Sequence, residues 1–205
     1  MPKDKPAYRY FIINKPYNMV SQFTSPHPVN LLGDLDFPFP ENTHAIGRLD
    51  NHSEGLLILT TNKKVTRLLF QSEIPHKRTY LVQVNNRMSE KNIEKLKTGV
   101  SITGMEGKVH ITAPCEVAIV KDEKVLCKME SRLTGYPPFT WLMLTITEGK
   151  FHQVRKMIRA TGHLCKRLIR VAIEDLQLED LAPGSTREIA EVVFFKKLNI
   201  PYPIG

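Results

Sequence analysis

The chain has 205 residues, 41% of them hydrophobic, and Lys plus Arg outnumber Asp plus Glu by 29 to 21, giving a formal net charge of +8. Such a length and composition suit one large globular domain or two small lobes with a sizeable core. No apolar run approaches the roughly 20 residues of a membrane span, and the charged start Met1 to Tyr10 holds no apolar signal-type core, so a cytoplasmic protein is expected.

Cys115, Cys127 and Cys165 have no CxxC spacing and are odd in number, which argues for reduced core residues and against a disulfide framework. The histidines are scattered singly, so no metal site is expected. Positive charge is concentrated instead. From Gly149 to Ile173 there is no acid, while Lys150, Arg155, Lys156, Arg159, Lys166, Arg167 and Arg170 all fall there. A field this one-sided attracts polyanions, nucleic acid first and anionic membrane second, although a solvated basic face has the same composition.

In chain order, Tyr8 to Asn14 is rich in β-formers and is stopped by Lys15-Pro16, so it reads as a strand with Lys15 at its end. Pro26, Pro28, Pro38 and Pro40 make Val20 to Asn42 irregular, with a brief helix near Leu31 to Leu35 capped by Asn30. Gly47 to Asn62 then joins a polar knot, Arg48 to Glu54, to the apolar run Leu56 to Leu59, which reads as a buried strand. Asn62 caps an expected helix from Lys63 to about Gln71, and Tyr80 to Val84 is a strand. Ser89 to Lys97 is a second helix with Ile93 and Leu96 inward and Gly99 as a left-handed stop. Val100 to Ile102, Cys115 to Val120 and Val125 to Met129 read as strands, the last two forming a hairpin through Lys121 to Lys124. Ser131 to Thr140 is a Gly/Pro loop and Trp141 to Thr147 a strand. Phe151 to Thr161 is a helix with Val154, Met157, Ile158 and Thr161 inward, ended by Gly162. Leu164 to Val171 returns as a strand, Ile173 to Leu178 pairs locally, Pro183-Gly184 turns, and Ala190 to Leu198 closes the chain as a helix. Without a regular β-α-β alternation, this order predicts an α+β fold with a mixed, largely antiparallel sheet.

Arg48-Leu49-Asp50 alone is most simply a surface ion pair. Flanking Gly47 and Gly55, the second acid Glu54 and the buried run behind them favour a carboxylate held ionised on a tight turn, a nucleophile or base. Asn51 to Gly55 partly matches a serine-hydrolase elbow, but Asn51 replaces the required Gly and the strand follows Ser53 rather than preceding it. In the basic segment, Phe151 and His152 beside so many cations suit phosphates and a stacked base. Tyr80, after Lys77 and Arg78, is a strand aromatic that near a carboxylate can stack on a base or move a proton.

At these residues the chain resembles the pseudouridine synthases of the small-subunit rRNA A type. The likeness rests on Gly47-Arg48-Leu49-Asp50 with Ser53-Glu54-Gly55-Leu56-Leu57, and on Asn14-Lys15-Pro16-Tyr17 with Val20-Ser21-Gln22. It continues through Arg78-Thr79-Tyr80, Glu148-Gly149-Lys150, Gln153-Val154-Arg155-Lys156-Met157 and Leu168-Ile169-Arg170. The absence of a preceding S4 RNA-binding segment, with Gln22-Phe23-Thr24 and Pro137-Pro138, is most similar to the branch acting as large-subunit rRNA pseudouridine synthase E.

This resemblance implies a single two-lobed catalytic domain over residues 1–205 that isomerises a uridine in ribosomal RNA without cofactor or metal. Asp50 is then the catalytic aspartate, Tyr80 packs on the target base and assists proton removal, and Arg155 pairs with Asp50 and keeps it ionised. Arg48 and Leu168 support them, and a cleft between the lobes is lined by Lys15, Asp50, Tyr80 and Arg155. Lys15, Arg78, Lys150, His152, Gln153, Lys156, Arg159 and Arg170 are expected to bind substrate. Arg78 stands where the family usually has Lys, exchanging a point charge for a planar fork. The expected partner is ribosomal RNA and the expected state a monomer. A catalytically silent RNA-binding or ribosome-assembly protein, or a synthase acting on tRNA, is the alternative.

Overall fold

A computed structural model describes residues 8–70, 75–104, 107–121 and 138–201. The strand expected at Val125 to Met129, Cys127, and most of the turn and loop expected around it lie outside the described residues. The strands are β1 (Tyr10–Lys15), β2 (His44–Ile46), β3 (Glu54–Thr60), β4 (Arg78–Asn85), β5 (Ser101–Thr103), β6 (Val109–Ile111), β7 (Glu116–Ile119), β8 (Phe139–Ile146), β9 (Cys165–Ile173), β10 (Leu176–Gln177) and β11 (Thr186–Ile189). The helices are α1 (Lys64–Phe70), α2 (Glu90–Thr98), α3 (Gln153–Ala160) and α4 (Glu191–Lys197). They form two compact units, Met1–His76 with Ala172–Gly205, and Lys77–Val171. The ladders β1–β11, β1–β3, β2–β3, β4–β8, β7–β8, β5–β6 and β9–β10 are antiparallel and the helices stand between runs of strands, so the fold is α+β, as expected.

In the first unit β1 lies between β11 and β3, with Lys15 opposite Gly55, and β2 pairs with β3. Phe11 to Ile13 and Leu56 to Leu59 are fully buried without alternation, which requires cover on both sides of the sheet. Neighbouring strand residues face opposite ways, and the two aromatics of β1 use both directions. Tyr10 packs on Phe194 and Phe195 of α4 at centroid distances of 4.5 and 5.5 Å. Phe11 packs on Phe37 and Phe39 at 5.5 and 6.1 Å. The buried Tyr10 hydroxyl donates to Glu191 Oε1 (2.6 Å) and accepts from Asn62 Nδ2 (2.9 Å), so the polar end of the ring is satisfied. Asn62 Oδ1 also accepts from Lys64 N (3.1 Å), the start signal expected for α1.

In the second unit β4 pairs with β8 along all eight residues, from Arg78 opposite Ile146 to Asn85 opposite Phe139, and β7 adds to β8. β9 lies on the other side of β4. Ser89 caps α2 through Asn92 N (3.3 Å), and Ile93 and Leu96 are buried as the periodicity predicts.

Three local expectations change. Asn30 does not cap the short 3-10 turn Leu32–Asp34, because its amide donates to Asn18 O (2.8 Å) and Asp34 Oδ2 takes the Leu31 N–H (2.7 Å). Strands β2, β6 and β11 are additions to the expected set; β6 carries exposed Val109 and Ile111, so no buried face marks it in the sequence. Gly99 adopts φ 103° and ψ 147°, an extended mirror-image conformation rather than a left-handed stop.

A Cβ at Gly99 would stand 2.3 Å from Thr112 O, whereas one at Gly162 (φ +80°) would meet nothing within 4 Å. Gly162→Ala should therefore lose only the left-handed penalty, about 1–2 kcal/mol. Gly99→Ala adds a clash with backbone and should lose about 2–4 kcal/mol. Urea midpoints measured at unchanged slope check the order of the two.

Candidate active site

The turn carrying Asp50 is built in the first unit by the end of β1 and the segment after it. Gly47 (φ 70°) and Gly55 (φ 100°) bracket it with the positive φ values that the two glycines suggested. A Cβ at Gly47 would lie 2.8 Å from the tip of the exposed Phe70 ring, which can move aside, so the positive φ is what selects glycine there. Ser53 N–H closes the turn on Asp50 O at 2.9 Å. The fully buried ammonium of Lys15 donates to Pro16 O (2.9 Å), Met19 O (2.6 Å) and, at 3.4 Å, Asn51 O. Ser21 Oγ donates to Leu49 O (2.9 Å) and accepts from Leu49 N (3.0 Å). Asn51 Nδ2 reaches Asn18 Oδ1 (3.1 Å), and His52 stacks on Tyr17 with centroids 5.2 Å apart at 21°.

The residues on either side of Asp50 are thus clamped through their backbones, while Asp50 itself is half-buried and Arg48 exposed. Lys15, expected to contact substrate, is itself fully buried in this arrangement. Its charge is turned inward onto carbonyls, where it holds the shape of the turn.

The second unit organises the basic segment around a carboxylate. Glu148 accepts from Ala113 N (2.9 Å), His110 Nε2 (2.8 Å) and Gln153 Nε2 (2.6 Å). Partial burial raises the Glu148 carboxyl, but these hydrogen bonds outweigh it and hold the group below the usual glutamate range. Gln153 Oε1 in turn accepts from Lys150 N (2.8 Å), which fixes the turn leading into α3. Gln153 is therefore buried, with both ends of its amide hydrogen-bonded within the protein. Arg170, expected to bind substrate, and Leu168 are both buried on β9.

The other expected substrate residues differ in exposure. Lys150, His152 and Arg159 are exposed, and Lys156 and Arg155 half-buried. Arg155 donates to Cys165 O at 3.4 Å, and burial pushes the Cys165 thiol up to about 11 against the lowering effect of Arg155. Tyr80 is 8% exposed on β4 opposite Leu144, with Arg78 two residues earlier on the same side of the strand. His152 begins α3 in the left-handed region (φ 54°), which shortens the expected helix from Phe151 to Gln153.

Among the described residues no group of three or more His, Cys, Asp or Glu side chains is placed to hold a metal ion. No described helix is long and apolar enough to cross a membrane.

The family model for RNA pseudouridylate synthase matches residues 9–160, which include the whole clamp around Asp50 and the Glu148 network. The chain belongs to the RNA pseudouridylate synthase family. It is 36% identical over 183 residues to a ribosomal large subunit pseudouridine synthase E of Vibrio vulnificus (strain CMCP6), covering 89% of this chain and 75% of that one. It is 30% identical over 190 residues to a ribosomal small subunit pseudouridine synthase A of Yersinia pestis, covering 90% of this chain and 72% of that one. A crystal structure of a pseudouridylate synthase superposes with a TM-score of 0.74 at 26% identity, over 94% of this chain and 74% of the other. As a pseudouridylate synthase, the protein is an isomerase.

Two synthase features went unread in the sequence. Ser21, quoted only as part of a motif, is the clasp on Leu49. His110 stands 38 residues from Glu148, with nothing local to mark the pair.

Lys15→Met should remove the donor shared by three carbonyls and cost about 2–3 kcal/mol of stability. In conditions where the variant stays folded, its turnover should fall about 10–100-fold from misplacement of the turn. Urea unfolding and single-turnover assays check the two effects separately. For Glu148 the lowered carboxyl fixes the sign of a pH effect. Its contribution is fully present above the ordinary glutamate value of about 4.3 and is lost as the pH falls through the lowered folded value. The stability gap between the native protein and Glu148→Gln should shrink when urea unfolding is repeated at progressively lower pH below that value.

Proposed function

We propose that this synthase converts a specific uridine of ribosomal RNA, in the large subunit, to pseudouridine, with Asp50 as the acting carboxylate. The observation that carries the reading is the clamp: Leu49 and Asn51 are fixed through their backbones on either side of the half-buried Asp50 carboxylate. Preorganisation of this kind is what a reacting group requires and a passive surface turn does not. The names of the relatives direct the choice of ribosomal RNA, and of the two the large-subunit synthase E is matched at the higher identity.

The reaction breaks the C1′–N1 bond of uridine, forms C1′–C5, releases the C5 proton and leaves a proton on N1. Reactant and product are isomers, so no cofactor or metal is invoked. The nucleotide is flipped from its helix at a cost of a few kcal/mol, offset by phosphate contacts to the exposed cations Lys150 and Arg159 and to Lys156. Asp50 then adds to the ribose or base, or removes a ribose proton to give a glycal; each route needs the ionised carboxylate. Arg155 conditions that charge with support from Arg48, and Tyr80 holds the released uracil while it turns and assists removal of the C5 proton.

Release of tritium from C5-labelled uridine in large-subunit rRNA tests this reading. The native protein should release it and Asp50→Asn only at the background rate; equal release from both would remove Asp50 from the chemistry. No release by native protein on rRNA or tRNA would leave an RNA-binding role. Arg155→Ala should lower turnover about 10²–10³-fold with little change in RNA affinity. A loss confined to affinity would make Arg155 a phosphate contact.

A further inference from the structure

The turn before α3 carries an aromatic pair that the reaction above does not use. Phe151 is 55% exposed, and its ring lies on the His152 ring with centroids 3.9 Å apart at 18°. Lys156 places Nζ over the same Phe151 ring, 5.2 Å from its centroid. An isolated exposed phenylalanine needs no explanation. This one differs in how it is held. Consecutive side chains of a strand point to opposite sides, and the left-handed backbone of His152 is what turns two successive rings face to face. The turn beneath them is locked by Lys150 N on Gln153 Oε1 and by Gln153 on Glu148. The rings therefore form a preorganised surface within a segment, Gly149 to Ile173, that contains no acid.

We propose that Phe151 and His152 are a stacking platform for one unpaired nucleobase of the RNA, with Lys156 leaving the ring to meet the phosphate of the stacked nucleotide. The proposal rests on the reading that the ligand is RNA, and adds the subsite and the exchange at the ring. Magnitudes favour the exchange. A cation over an exposed ring is worth about 2–5-fold in an equilibrium constant, whereas base stacking on an aromatic is worth about 5–150-fold per base. The displaced ammonium then gains a phosphate in place of the ring. Because every base has a π-face, the platform holds its nucleotide with little sequence preference.

The test uses the full chain carrying Asp50→Asn, so that binding is read without turnover. The probes are a labelled oligoadenylate of about 12 nucleotides and an abasic phosphodiester of the same length. Phe151→Leu should weaken oligoadenylate binding at least 5-fold and abasic binding less than 2-fold, while Phe151→Tyr retains both. Lys156→Gln should reduce the salt slope by about 0.7, one single-strand phosphate. Equal losses on the two polymers, or no loss on either, would overturn the platform, as would Phe151-dependent binding to anionic phosphatidylserine vesicles without an effect on oligoadenylate. A native protein that releases no tritium overturns the catalytic reading and leaves this binding result standing; loss of the base-dependent difference does the reverse.

Discussion

One buried ammonium sets the geometry of the Asp50 turn. Taking a lysine charge out of water costs several kcal/mol after relaxation, so a fully buried Lys15 survives only where the backbone supplies the oxygens that water would have supplied. It finds them at Pro16, Met19 and Asn51. Two of these belong to the segment just after β1 and the third to the turn before β3, so the charge is satisfied only when the segments are held together. The antiparallel register, with Lys15 opposite Gly55, brings the side chain to that place. Ser21 acts in the same sense one residue before Asp50, using both hydrogen-bonding capacities of its hydroxyl.

The second unit solves a related problem with the opposite charge. Glu148 collects three donors and through Gln153 fixes the backbone at Lys150, so the start of a basic helix is held by an acid outside its acid-free stretch. Each device places a polar group at the end of a strand and spends it on backbone or side-chain partners. Lys15 and Gln153, whose charge and amide suggest ligand contacts, both make hydrogen bonds within the protein itself. Lys150, His152 and Arg159 are exposed.

Why some of this was legible follows from where the information lies. β1, β3, β4 and β8 are dense in buried apolar or β-branched residues, and α2 has a cap and an inward stripe; both are local patterns. Asp50 stood out because two glycines and a buried run frame it. Missing were the facts that depend on distant partners: the inward turn of Lys15, the 28-residue reach of Ser21 to Leu49 and the pairing of His110 with Glu148. β6 was missed for a different reason, since its apolar residues face out and carry no burial pattern. Gly99 was misread in detail because a positive φ can serve either a left-handed cap or an extended mirror-image kink, and the carbonyl of Thr112 decides between them.

Arg78 shows how a side chain can be drawn into this framework. Its Nη1 lies where a Cβ on Gly149 would be 3.2 Å away, so the guanidinium rests against the bare backbone of the turn between Glu148 and Lys150. A planar fork can lie flat on such a surface, which a tetrahedral ammonium on a flexible stem does less well. Glycine at 149 and arginine at 78 are then mutually suited: any side chain at 149 would push the fork away. Because Arg78 and Tyr80 project from the same side of β4, this contact also ties the strand bearing Tyr80 to the turn that starts α3. The Arg78 guanidinium thus forms part of the local packing around Gly149 in the second unit.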